Sequence, residues 1–306
     1  MTRRRALGAV LAILACALLA AMPVIAQNRL PENVEVTRDV QYGTGGGTPL
    51  LLDIYRPKQP SAQPVPAVVW IHGGAWRAGS KADGRVAMLM ATHGFFAVSI
   101  DYRLSGVALF PAAVEDCKCA IRWLRAHAAD YGVDPDRIGV AGGSAGGHLA
   151  LMVGCVDEKA GLEGSGGWQD VSSRVAAVCS YFGPTDFTLG HREFEDGRGN
   201  APLLFLGGTL EEKPDVYKLA SPITHVSADD PPLLMIHGDQ DRTVPLNQSE
   251  RMLEAYQKVG AEAKLIVVKG AGHGFGPAGG QQPSLSGREI GDLTVEFFKQ
   301  HLLPRP

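Results

Sequence analysis

From Val34 onward the chain alternates short, uninterrupted apolar runs with longer stretches in which apolar residues recur every three or four positions. The runs at Val65–Ile71, 95–100, 138–141, 175–181, 232–236 and Ala263–Val268 are rich in Val and Ile, and Gly, Asp or Ser follows each closely. They are too short for core helices and have the pattern of strands buried on both faces. The clearest helix between them covers 111–130, with Ala113, Cys117, Ala120, Ile121 and Leu124 on one face and Glu115, Lys118, Arg122 and Arg125 elsewhere. Two earlier runs, 36–42 and 50–55, flank the glycine-rich stretch 43–47 and predict an antiparallel hairpin.

Strand–helix alternation of this kind predicts an α/β fold, a mostly parallel sheet of about eight strands with helices on both faces. Residues 27–306 fit a single domain. The longest segment without strand signal, 183–231, is expected to form a small lid-like insertion, with its apolar run 202–206 packed back on the body.

The first 26 residues stand outside this pattern. Arg3, Arg4 and Arg5 precede an apolar run over 6–22, and Val24-Ile25-Ala26 has the small-residue spacing of a cleavage site before Gln27. This predicts a secretory signal peptide over 1–26 and export to the periplasm or the exterior; an uncleaved N-terminal anchor and a lipoprotein cleaved at Leu14-Ala15-Cys16 are the alternatives. Losing its three arginines would take the net charge from -3 to -6. Such a balance attracts neither nucleic acid nor an anionic membrane surface, and no stable membrane insertion is expected after cleavage. The 38 glycines and 20 prolines follow no repeat, which excludes collagen-like and solenoid chains. Cys117, Cys119, Cys155 and Cys179 have neither disulfide-framework density nor zinc spacing, so free, mostly buried thiols and no metal are expected.

The glycines concentrate where chemistry is expected. Ser144 lies in Gly142-Gly143-Ser144-Ala145-Gly146-Gly147, between a strand run and a helical run. A serine on a sharp strand-to-helix turn needs glycines two places before and after it, because side chains there would collide with strand and helix. Such a turn also aims a helix N-terminus at a developing oxyanion. After the seventh strand comes His237-Gly238-Asp239-Gln240-Asp241, and after the eighth Gly270-Ala271-Gly272-His273-Gly274-Phe275. Ser144 as nucleophile, Asp241 as acid and His273 as base fall in the order a triad takes along one edge of such a sheet. Asp239 and Asp186 compete with Asp241 for the acid. His72 and His237, at strand ends beside glycine, are expected to brace loops.

His72-Gly73-Gly74-Ala75-Trp76 follows the third strand. The N–H groups of Gly73 and Gly74, with that of Ala145, are the expected oxyanion hole. Trp76 either walls the site or packs in the core. Phe182, Phe187 and Phe205, with Leu203 and Leu204, are the expected apolar wall facing it.

With HGGAW, DYRLS at 101–105, GGSAGG, GPTDF, HGDQDRTVP and GAGHGF in order, the chain resembles α/β-hydrolase esterases. Within that superfamily it resembles the branch that holds acetylxylan and feruloyl esterases and related carboxylesterases. It departs from hormone-sensitive-lipase-like esterases, which carry HGGG where this chain has His72-Gly73-Gly74-Ala75. HGGxW also recurs in kynurenine formamidases. The resemblance implies a serine ester hydrolase without metal or cofactor, acting on short-acyl esters of small molecules or of polysaccharide. An exported peptidase or amidase on the same triad is the rival reading.

Overall fold

The computed structural model describes residues 30–59, 61–189 and 201–304. Eight strands among them form one sheet: β1 (Val34–Gly45), β2 (Thr48–Pro57), β3 (Val65–Ile71), β4 (Phe96–Ile100), β5 (Val133–Gly143), β6 (Ala177–Tyr181), β7 (Leu233–Gly238) and β8 (Ala263–Val268). Their order is β1-β2-β4-β3-β5-β6-β7-β8. Only the β1–β2 and β2–β4 pairs are antiparallel; all other neighbours are parallel. The lead-in hairpin closes through Gly46 and Gly47, both at positive φ (56° and 83°). Two such residues give the turn the twist that antiparallel strands require.

The alternation of side chains along each strand distributes the core into two layers. Ala67, Val69 and Ile71 of β3 point into a layer shared with α2 (Ala112–Ala126), α4 (Ala145–Cys155) and α7 (Asn247–Val259). Val68 and Trp70 point the other way, toward α1 (Arg85–Thr92) and α8 (Gly287–Leu302). The start of α8 is fixed by a capping box between Ser286 and Glu289. The helix expected over 111–130 breaks at His127, whose ring takes the Trp123 carbonyl (2.8 Å), and α3 (Ala128–Tyr131) follows.

The described residues from Glu32 onward form one compact unit; the segment 1–26, expected to be a signal peptide, lies outside the described residues. The described part of 183–231 carries α5 (Ala201–Leu206) and α6 (Pro214–Leu219). In α5 Phe205 and Leu206 are buried, and the Phe205 carbonyl accepts the Phe110 N–H at 2.9 Å. Cys117, Cys119, Cys155 and Cys179 are all free and buried. Burial raises all four thiols above the ordinary range, Cys179 to about 12, which keeps them protonated and unreactive.

Candidate active site

Ser144 sits between the end of β5 and the first residue of α4 with φ 56° and ψ -120°. The turn is this tight because β5, α4 and β3 nearly touch. A Cβ at Gly142 would lie 2.1 Å from the Gly146 carbonyl oxygen, and one at Gly146 would lie 2.1 Å from that of Ile71. Glycine at both places is therefore a steric requirement. The strained Ser144 backbone is held by its N–H donating to the Tyr181 carbonyl at 2.9 Å.

The loops after β7 and β8 bring an acid and a base to this turn. The Ser144 Oγ lies 3.0 Å from His273 Nε2, and His273 Nδ1 lies 2.8 Å from Asp241 Oδ2. The Oδ1 of Asp241 accepts the N–H groups of Thr243 (2.8 Å) and Val244 (2.9 Å). Burial alone would raise the pKa of this carboxyl, but hydrogen bonds from His237, His273 and Val244 outweigh it and hold Asp241 far below the usual carboxylate range. Asp241 is thus a permanent anion facing His273 Nδ1. That arrangement fixes the tautomer with Nε2 free to accept the serine proton.

Neither competing acid reaches His273. Asp239 Oδ1 accepts the Gly270 N–H at 2.7 Å and so closes its own turn. Asp186 pairs with Arg251 (2.6 Å) and caps Thr188 (2.9 Å). His237 braces a loop, as expected: its ring contacts the Val244 carbonyl (2.8 Å) and Ser249 Oγ (2.7 Å), while Asp241 Oδ2 stands farther off at 3.4 Å.

On the other side of Ser144 lies the loop after β3. A Cβ at Gly73 would stand 2.8 Å from the Gly143 carbonyl oxygen and 3.3 Å from Ser144 Cβ, so glycine lets this backbone lie against the serine. Tyr102 donates its hydroxyl to the His72 carbonyl (3.1 Å) and stacks on the His72 ring at 4.4 Å. His72 Nδ1 in turn lies 2.7 Å from the Gly73 carbonyl oxygen. In a trans peptide the N–H points opposite to the carbonyl. Tying these two carbonyls therefore turns the N–H groups of Gly73 and Gly74 the other way. The N–H of Ala145, first in α4, has no intrahelical acceptor and completes the candidate oxyanion hole. Tyr102, within the DYRLS stretch, is a brace the sequence reading did not single out.

A cavity of about 410 Å³ opens beside Ser144, between α1 and α8. Trp70, Tyr181, Phe182 and Phe275 form its aromatic side, and the Phe182 ring lies 4.5 Å from that of His273. Of the residues expected to wall the site, only Phe182 faces this space. Trp76, Phe187 and Phe205 are 3%, 0% and 1% exposed and pack on one another in the opposite core layer. Trp76 stacks on Phe205 at 4.6 Å and meets Phe187 at 5.7 Å. Its indole N–H donates to His148 Nδ1 (3.2 Å), which draws the ring beneath the loop rather than over the serine. Leu204 is exposed and Leu203 half-buried, and neither lines the cavity. The wall comes instead from β3, β6 and two helices whose site-facing sides single-sequence periodicity does not reveal. Among the described residues no group of His, Cys, Asp and Glu is placed to hold a metal ion.

The family model BD-FAE matches residues 52–256, which include Ser144 and Asp241 and end before β8 and His273. The chain belongs to the BD-FAE family. Esterase LipQ of Mycobacterium tuberculosis is 32% identical to this BD-FAE member over 87% of its chain and 63% of LipQ. Esterase LipC of the same organism is 35% identical over 78% of this chain and 59% of LipC. The chain thus spans about three fifths of the length of these curated relatives. Among solved structures, a truncated carbohydrate esterase from gut microbiota has 32% identity and a TM-score of 0.75, covering 88% of this chain and 97% of that one. An esterase of Thermogutta terrifontis with propionate bound has 32% identity and a TM-score of 0.72, covering 90% and 98%. The fold of this BD-FAE member is that of the α/β-hydrolase esterases.

His148 links three parts of the protein. Besides accepting from Trp76, it lies one turn into α4 and its Nε2 donates to the Ala220 carbonyl at 2.8 Å. Burial lowers its pKa to about 4, so it is neutral when folded. The unfolded chain protonates this histidine below about pH 6.5. Its stabilising effect is therefore complete above that pH and is lost as the pH falls toward 4. His148→Gln keeps an acceptor for Trp76 and a donor for Ala220 but does not titrate. Between pH 7 and pH 4 the wild type should lose about 3 kcal/mol more unfolding free energy than this variant. Equal losses in denaturant titrations would show that His148 is not held neutral.

Proposed function

We propose that this protein is an exported serine carboxylesterase acting on short-acyl esters of small molecules or of polysaccharide. The observation that carries this reading is the Ser144–His273–Asp241 chain, at 3.0 and 2.8 Å, beside an open apolar cavity. His273 Nε2 takes the Ser144 proton as Oγ attacks the acyl carbon, and the N–H groups at Gly73, Gly74 and Ala145 hold the oxyanion. Collapse of the tetrahedral species passes that proton to the leaving alkoxide and leaves an acyl-serine. Water, deprotonated by His273, then attacks the acyl carbon, and the carboxylic acid leaves as Ser144 recovers its proton. The carbohydrate esterase and the propionate-bound esterase among the structural neighbours support the short-acyl reading, and the leader sequence supports export.

A buried tunnel would add about 0.8 kcal/mol for each methylene sheltered from water, so specificity would rise with chain length. The cavity is an open cleft of about 410 Å³ instead. The best turnover is expected on acetyl to butyryl esters, with a fall beyond hexanoyl; the aromatic wall favours turnover of methyl ferulate as well. The test is kcat/KM across an acyl series, with methyl ferulate and the matching anilides included. A steady gain out to dodecanoyl, or anilides cleaved better than esters, would overturn the reading.

A further inference from the structure

The side of the cavity that faces the aromatic rings is made by one face of α8. Gly287, Ile290 and Gly291 all line it, at the spacing that places residues together on a helix. Glycine is a poor helix former, and neither Gly287 nor Gly291 adopts positive φ. Backbone conformation therefore does not explain either one. Gly291 has a packing reason: a Cβ there would meet Leu89 Cδ2 of α1 at 2.8 Å. Gly287 has none, because a Cβ there would find no heavy atom within 4 Å. Its missing side chain leaves open space at the mouth of the cleft.

The opposite side is anchored to the same helix. Tyr181 meets Thr294 Oγ1 at 2.5 Å, and Thr294 Oγ1 donates to the Ile290 carbonyl at 2.9 Å. The separation between the aromatic side and α8 is thereby fixed by hydrogen bonds, and the remaining freedom is the bulk of the residues facing in. We propose that Gly287, with Gly291 behind it, is the specificity-determining element of the site, keeping the cleft wide enough for one apolar, ring-sized substituent of the ester. This inference rests on the esterase reading above and adds to it where the substituent lies and what limits its size.

The test uses Gly287→Phe and Gly287→Ala in the full chain with three esters: ethyl acetate, phenyl acetate, which carries the ring on the alcohol, and methyl ferulate, which carries it on the acyl group. Gly287 is exposed in the first turn of α8, and alanine and phenylalanine are both better helix formers than glycine, so both variants are expected to fold. In Gly287→Phe, kcat/KM for at least one ring ester should fall about tenfold or more relative to ethyl acetate. Gly287→Ala should lie between wild type and Gly287→Phe. Unchanged ratios for both ring esters, or a parallel fall of all three substrates, would overturn the assignment of Gly287 while leaving the esterase reading intact. A wild type that turns over none of the three would overturn both.

Discussion

Ser144→Ala is expected to lower turnover by about four orders of magnitude or more, with the thermal midpoint almost unmoved. The elbow owes its shape to contacts that alanine keeps: the Gly142 and Gly146 approaches and the Ser144 N–H bond to Tyr181. The hydroxyl adds one hydrogen bond, to His273 at 3.0 Å, on a half-buried and water-accessible edge. Removing it deletes the nucleophile and little else. What survives is the oxyanion hole and substrate binding, which in comparable serine hydrolases retain only a small residue of catalysis. Purified Ser144→Ala with more than about a hundredth of wild-type kcat would eliminate Ser144 as the nucleophile.

Asp241→Asn should cost nearly as much, about 10⁴-fold in kcat, although it changes a single atom. The reason lies in which oxygen does what. Oδ1 accepts two backbone N–H groups, from Thr243 and Val244, and Oδ2 accepts from His273 Nδ1. An asparagine keeps the first pair of bonds only by placing its oxygen there, which turns its NH₂ toward His273. Nδ1 must then accept, the ring proton moves to Nε2, and the base that receives the serine proton is gone. Asp239→Asn disturbs only a turn closed on Gly270, and Asp186→Asn weakens an ion pair with Arg251, so both should act on stability rather than on kcat. The comparison is kcat for the three variants at pH 8; if Asp186→Asn were the most impaired, the acid would be the one after β6.

Much of the architecture was legible because it depends on local rules. Val- and Ile-rich runs became strands of the sheet, and the glycines around Ser144 mark a turn that no other residue fits. Chain order alone brought Ser144, Asp241 and His273 to one edge of the sheet, since parallel strands end on the same side. The substrate wall was illegible for an equally physical reason. Whether Trp76 faces the site or the core depends on a bond to His148, seventy-two positions away, and Phe205 follows Trp76 inward by stacking on it. Trp70, only six positions earlier, points into the other layer because a strand alternates its side chains. The helix facing it, α8, carries its signal as two glycines whose absent side chains have meaning only once the cleft is seen.

The most direct test of the central claim is to treat the full-length protein with a fluorophosphonate probe and map the modified peptide by mass spectrometry. A nucleophile activated by His273 should yield one adduct, on Ser144, with loss of ester hydrolysis in step with labelling. His273→Ala should label far more slowly. An adduct confined to any other residue, or full esterase activity in protein stoichiometrically labelled at Ser144, would contradict the account.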